Sequence, residues 1–340
     1  MQPGDEKTGT AIHNVAKGVH AGDAVNLAQL KEYTEKGMGH YFSTHSLTPK
    51  GNFANEGATG ENSVAFGIAA VASAKNSAAM GNYVQAQGDG SLAIGTGYWH
   101  EGDKSQLEGT TEEVQPIMTQ AFSNYRYNVA IGAGAQTEGN YSMAIGTRAM
   151  TRKKYQKEGV NNKGVDYALS MGYLATVYGE NGIAIGHLAE AHQAEGIALG
   201  HESWSLRDKA IAIGNHNTAL GRESGTMGTR NGVSGDNTYV IGNDNMNLAD
   251  DDRKNVLDSI ARPLELGITD ENSTVLGNSN TMVSKFKTLK GLDGETEYQG
   301  IERGEDNHIV GNYNKLTITN HSFVTGSSNC LLYTSPSPRD

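Results

Sequence analysis

Small and bulky apolar residues alternate along most of the chain, and the alternation restarts at a fixed interval. Ser63-Val64-Ala65-Phe66-Gly67 returns as Ser77-Ala78-Ala79-Met80-Gly81 and Ser91-Leu92-Ala93-Ile94-Gly95. The closing glycine comes back at Gly132, Gly146, Gly172, Gly186, Gly200, Gly214, Gly228, Gly242, Gly277 and Gly311, with a weaker copy at Gly326. Of the thirteen intervals between these fourteen glycines, eight are 14 residues, which excludes chance. Period two predicts a short strand with one bulky and one small face. Glycine closes each strand, where a turn needs positive φ or a close backbone approach. The next stretch, residues 69–74 in the first unit, alternates again, so a unit reads strand, turn, strand, turn. Such units stack into a parallel solenoid with coils about 4.8 Å apart and equivalent positions in ladders.

The pattern also carries an expectation about facing. Val and Ile at the bulky positions are expected to fill an interior one layer deep. The alanines between them (65, 79, 93, 130, 144, 184, 198 and 212) then form the outer face. Alanine is poor in exposed strands, and a thin solenoid buries little by itself. The alanine face is therefore expected to pack against further copies of the chain, in a number that the pattern leaves open.

Composition agrees with a thin architecture. The chain has 44 glycines in 340 residues, well above the usual share of about 7%. Aromatic residues are 7%, and the single Cys is Cys330. Net charge is -11, which argues against a nucleic-acid partner and an anionic membrane surface. No run of about 18 apolar residues predicts a membrane helix, and the first ten residues lack the apolar core of a secretion signal. The final CLLYTSPSPRD, residues 330–340, looks like the translation of a transposase sequencing adapter, so a non-native tail is expected there.

The units built on Asn62-Ser63-Val64-Ala65-Phe66-Gly67 resemble the head repeats of trimeric autotransporter adhesins, the YadA-like head. Ala11-Ile12-His13-Asn14-Val15-Ala16-Lys17-Gly18, followed by Asp23-Ala24-Val25-Asn26-Leu27-Ala28-Gln29-Leu30-Lys31, resembles the neck of that family. Leu27, Leu30 and Tyr33 stand three residues apart, as in a short helix that meets partners, and Gly37 and Gly39 end it. The resemblance implies an all-β, left-handed parallel β-roll, three identical chains, and display on a Gram-negative surface. The handedness comes from the resemblance alone, since the general crossover rule favours the right hand. The partners implied are two further copies and host matrix or cell-surface proteins or glycans. Membrane attachment is expected only through a C-terminal anchor not contained in this stretch, which reads as an internal fragment. The expected organisation is an unstructured start (1–10), a neck and short helix (11–40), a connector (41–60) and the β-roll head (61–329).

Four departures from the 14-residue step read as surface loops, near 97–124, 148–166, 244–272 and 279–306. The first holds Tyr98, Trp99, Phe122, Tyr125 and Tyr127, an aromatic cluster in an aromatic-poor chain and the candidate ligand-binding group. Packing of these rings onto the roll is the competing reading. The second carries the basic run Thr151–Lys157, and the third opens at Asp250 like a capped helix with Val256, Ile260 and Leu264 on one face. His187 and His201 each follow a repeat glycine and are expected about 5 Å apart on stacked coils. Asn occupies that position in five other units (82, 215, 243, 278 and 312), so a plain turn role is expected over a metal or pH-sensitive one. The glycines near Gly132 do not form a dinucleotide fingerprint, and the calcium nonapeptide is absent. No catalytic constellation, cofactor or metal site is expected. The reading is a non-catalytic adhesin head; the alternative is a trimeric left-handed β-helix acyltransferase, which the 14-residue period opposes.

Overall fold

A computed structural model describes residues 13–37, 52–97, 118–121, 125–153, 164–245, 268–283, 285–290, 297–302, 304–317 and 319–332. The chain divides into two units, Met1–Thr48 and Pro49–Asp340. The first unit contains the helix Leu27–Gly37. Asn26 caps it: its side-chain oxygen accepts from the Gln29 N–H at 2.8 Å. The Gln29 amide in turn donates to the Gly18 carbonyl and accepts from the Gly18 N–H, both at 2.9 Å, which ties the preceding segment to the first helical turn. The Asp23 carboxylate closes a turn by accepting from the N–H groups of Val19 and His20. These bonds to the charged form hold its pKa below the usual carboxylate range. Leu27 and Leu30 are exposed on the single chain.

The second unit is a parallel β-solenoid of about 14 turns. Its first sheet has fourteen strands, one for each repeat glycine, ordered as in the sequence. Val64–Phe66 pairs with Ala78–Asn82 in the register Val64↔Ala78, a step of 14 residues. The register passes over the insertions without a shift of facing: Leu92 pairs with Val129, Met143 with Leu169, and Tyr239 with Thr274. The second sheet runs through ten short strands from Val71–Ala72 to Gly232–Val233. Ile268 then bridges Val233 and Met282, so the ladder continues into Thr281–Val283, Lys315–Thr317 and Cys330–Leu332. Cys330–Leu332 thus pairs as a strand, and residues 333–340 lie outside the described residues.

The facing is the reverse of the sequence expectation. The central alanines from Ala79 to Ala212 are fully buried inside the coil, while their bulky neighbours point outward. Phe66 is 42% exposed and Ile241 47% exposed on the single chain. The physical reason is the size of the coil. Fourteen residues, shared between two strands and two tight corners, make a narrow interior, and in the coils up to about residue 214 the inward positions of the first sheet hold mostly methyl groups. Alternation defines two faces but not which one is inside, and here the narrow interior takes the small one.

Both corners turn through left-handed backbone. One lies five residues before the repeat glycine (Asn62, Asn76, Tyr141, Asn181, Glu195), the other two residues after it (Ala69, Leu174, Glu202, His216). Non-glycine residues at these sites carry on the order of 1 kcal/mol of strain each. The repeat glycines meet both demands named above. Gly200 has φ of 122°, and a Cβ there would overlap the carbonyl oxygen of Gly214 on the next coil.

The insertions leave from two different corners. In the first, Thr119–Ala121 returns to the second sheet and pairs with Val84–Ala86. In the second, the second-sheet strand Met150–Thr151 comes first and the extra residues follow it. The third, like the first, leaves before the second sheet, which the chain rejoins at Ile268. The fourth, like the second, leaves after it and contains the antiparallel hairpin Lys285–Lys290 and Glu297–Glu302. Among the described residues no helix is long and apolar enough to cross a membrane.

Candidate functional site

The outward face of the first sheet carries two side-chain columns. The one nearer the repeat glycine reads Phe66, Met80, Ile94, Ile131, Ile145, Met171, Ile185, Leu199, Ile213, Met227, Ile241, Leu276 and Val310 on successive strands. It is apolar on thirteen consecutive rungs. At about 4.8 Å per rung such a column runs for roughly 60 Å. Exposed apolar surface of that extent marks a contact surface, because soluble chains rarely leave it in water.

The corner five residues before the repeat glycine carries a second feature. Tyr127, Tyr141 and Tyr167 stack at 5.4 Å centroid spacing, with ring planes 19° and 4° apart. All three are exposed. The Tyr127 ring also covers Gly90 on the coil before, where a Cβ would meet it. Tyr127 belongs to the predicted aromatic group; Tyr141 and Tyr167 do not. The signal was in the sequence, because all three stand at the same offset from their glycines, but the second insertion breaks the 14-residue step between the last two.

Tyr125, also in the predicted group, is buried against Gly164. Burial raises its pKa above the ordinary phenol value, with smaller contributions from the Glu138 and Asp166 carboxylates. Its ring is therefore part of the corner packing. Tyr98, Trp99 and Phe122 lie outside the described residues, as do Lys154–Lys157 of the basic run and the predicted helix after Asp250. His187 and His201 sit 4.9 Å apart, ring to ring, with planes 4° apart.

A third feature was not anticipated. Asn217, Asn231, Asn245, Asn280 and Asn314 form a buried column three residues after the repeat glycine, and Asn329 extends it. Each side-chain amide donates to the glycine carbonyl of the following coil, as from Asn231 to Gly242 at 2.7 Å and from Asn245 to Gly277 at 2.8 Å. Each side-chain oxygen accepts from the next asparagine's backbone N–H, as at Asn280 from Asn314 at 3.0 Å. The recurring Gly-x-x-Asn spacing was the available signal.

Two known family models match the chain. The coiled stalk of trimeric autotransporter adhesin matches residues 11–52. The YadA head domain repeat matches residues 58–83, 129–149, 166–189 and 191–217. The chain belongs to the trimeric autotransporter adhesins. No curated protein matches it closely enough to name a relative. Trimeric autotransporter adhesins are anchored in the outer membrane with their heads exposed at the surface, and their head repeats are non-catalytic. The stalk match covers the capped helix, and the head matches fall on coils whose outward column is apolar.

Proposed function

We propose that the solenoid is the head of a homotrimeric surface adhesin, and that three chains bury their outward apolar columns against one another. The observation that carries this reading is the unbroken column from Phe66 to Val310 on a chain whose own interior is already filled by other side chains. Covering a half-exposed Ile or Met contributes on the order of 1 kcal/mol, and the column repeats that gain rung after rung. Left-handed winding is part of the same reading and rests on the family resemblance.

The ligands in this reading are matrix or cell-surface proteins or glycans, bound through the corner aromatics and the loops. Three copies present each weak contact three times, which favours multivalent attachment. The tyrosine stack is the described surface that best suits it, since exposed tyrosines anchor contacts at low entropic cost. The test is solid-phase binding of the full chain to a panel of matrix proteins and glycans. It is compared with Tyr127→Ser/Tyr141→Ser/Tyr167→Ser and with a chain shortened within residues 99–116, which spares the strand Thr119–Ala121. Loss of binding in either variant supports the assignment. Binding by both at the parent level would exclude these two surfaces.

A further inference from the structure

The residue immediately after each repeat glycine forms a column at one corner of the solenoid. On three consecutive coils it reads Tyr173, His187 and His201. Tyr173 stacks on His187 at 5.3 Å with planes 13° apart, and His187 stacks on His201 at 4.9 Å. Above His201 the next ring is that of His216, at 5.0 Å and tilted by 50°. Glu202 lies among them: one carboxylate oxygen is 3.2 Å from His216 Nδ1. The backbone fixes the spacing, because the Glu202 N–H donates to the His187 carbonyl and the His216 N–H to the His201 carbonyl, both at 2.9 Å. One ligand atom from each of His187, His201 and Glu202 lies within 4.8 Å of the other two.

We propose that His187, His201 and Glu202 bind a divalent cation of the zinc class across two consecutive coils. Two imidazoles and one carboxylate are a donor set suited to zinc, nickel or copper and ill suited to calcium or magnesium. Zinc–nitrogen bonds of about 2.0–2.1 Å require donor atoms roughly 3.3 Å apart in a tetrahedral site. Donor atoms that lie within 4.8 Å of one another need to close by at most about 1.5 Å. Both rings are exposed and reach this by side-chain rotation, with the backbone ladder left intact. The half-buried Glu202 carboxylate lies 3.2 Å from His216 Nδ1 with no hydrogen bond between them, and a small rotation of that imidazole would let it orient the carboxylate as an outer partner orients a ligand in metal sites. The ion leaves one position open to water. Elsewhere on this column stand Ile68, Asn82, Thr96, Ala133, Thr147, Asn215 and Thr229, so the two adjacent rungs with imidazole are distinct in chemistry. The ion would staple two coils within the longest uninterrupted run of repeats.

The experiment is titration of the full chain with Zn2+ by calorimetry, with Co2+ absorption as a second probe of the ligand field. The expected result is one ion per chain. The variant His187→Asn/His201→Asn should lose it while keeping its circular dichroism spectrum, because Asn fills this corner at 82, 215, 243, 278 and 312. Glu202→Gln should bind at least tenfold more weakly, and His216→Asn roughly 10–100-fold more weakly, as for loss of an orienting partner. No binding at millimolar Zn2+, or the same stoichiometry and affinity in the double variant, would overturn the site. Should the double variant misfold, the parent chain decides: Zn2+ must protect His187 and His201 from diethyl pyrocarbonate, and equal modification with and without the ion excludes the proposal.

Discussion

The coils before about residue 214 and those after it fill the same backbone in different ways. In the earlier coils the inward positions of the first sheet are mostly alanine (Ala79, Ala93, Ala130, Ala144, Ala184 and Ala198), and so is the position three after the glycine (Ala135, Ala149, Ala175 and Ala189). In the later coils the inward residues are Val240, Val275 and Ile309, facing Ile268, Met282 and Leu316, and the third position is the asparagine column. The earlier half buries little apolar volume per coil, so its internal cohesion rests on the backbone ladder. The later half adds a thicker core and a side-chain hydrogen-bond ladder that ties every coil to the next. A repeat backbone therefore fixes where columns run, but not which interaction stabilises them.

This contrast can be attacked at several strengths. The largest effect is expected at the repeat glycines, and there the halves should agree. Gly200→Val and Gly242→Val each drive a side chain into the carbonyl of the following coil, at Gly214 and Gly277 respectively. Each should cost more than about 4 kcal/mol or abolish cooperative unfolding in a urea titration. Tolerance in one half would mean that its backbone spacing is not the shared element. Next come the cores, where opposite changes of side-chain volume should each destabilise. Met282→Ala in the thick core should cost about 2–5 kcal/mol, a cavity effect. Ala198→Leu in the thin core should cost about 1–3 kcal/mol through overpacking. Stabilisation by the alanine replacement at 282 would break the comparison.

The asparagine column offers a transplant. Asn245→Ala removes the bonds to the Gly277 carbonyl and the Asn231 side-chain oxygen and takes away the side-chain acceptor of the Asn280 N–H, so about 1–3 kcal/mol should be lost. Ala189→Asn places one amide in a column without a partner asparagine and should destabilise by a similar amount. A stable Ala189→Asn variant would show that the two halves are interchangeable at this position. The smallest effect is at Tyr125. Its pKa is raised in the folded chain, so the stabilisation it confers is present below about pH 10, the unfolded value, and is lost as pH rises through the folded value. Tyr125→Phe should remove that part of the alkaline loss, read as the thermal midpoint against pH, while both chains behave alike at pH 7.

Much of this organisation was legible in the residues. The spacing of 14 and the closing glycine are backbone requirements, so they leave a periodic mark, and the head resemblance follows from the same residues. The facing was not legible, because alternation at Val64-Ala65-Phe66 is symmetric between inside and outside. The habit of putting bulk inside fails where the inward positions hold mostly methyl groups and the bulky side chains stand on the outward face. The buried Asn217–Asn314 column was readable from its offset but stood two positions away from the column that drew notice. Tyr141 stands a plain 14 residues after Tyr127, but Tyr167 lies beyond the second insertion, which hides the shared offset unless the extra residues are first removed. Tyr125 and Tyr127 are two residues apart in sequence yet one is packed and the other exposed, a difference set by the corner and invisible in composition.

The central claim is that the outward column of the first sheet is covered by other copies of the chain. The most direct measurement is the mass of the full chain in solution by light scattering, beside that of Ile213→Asp/Met227→Asp, which puts two carboxylates on adjacent rungs of that column. A mass of three chains for the parent and a smaller one for the variant, with unchanged circular dichroism, is the predicted result. A parent that scatters as a single chain, or a variant that assembles as fully as the parent, would contradict it.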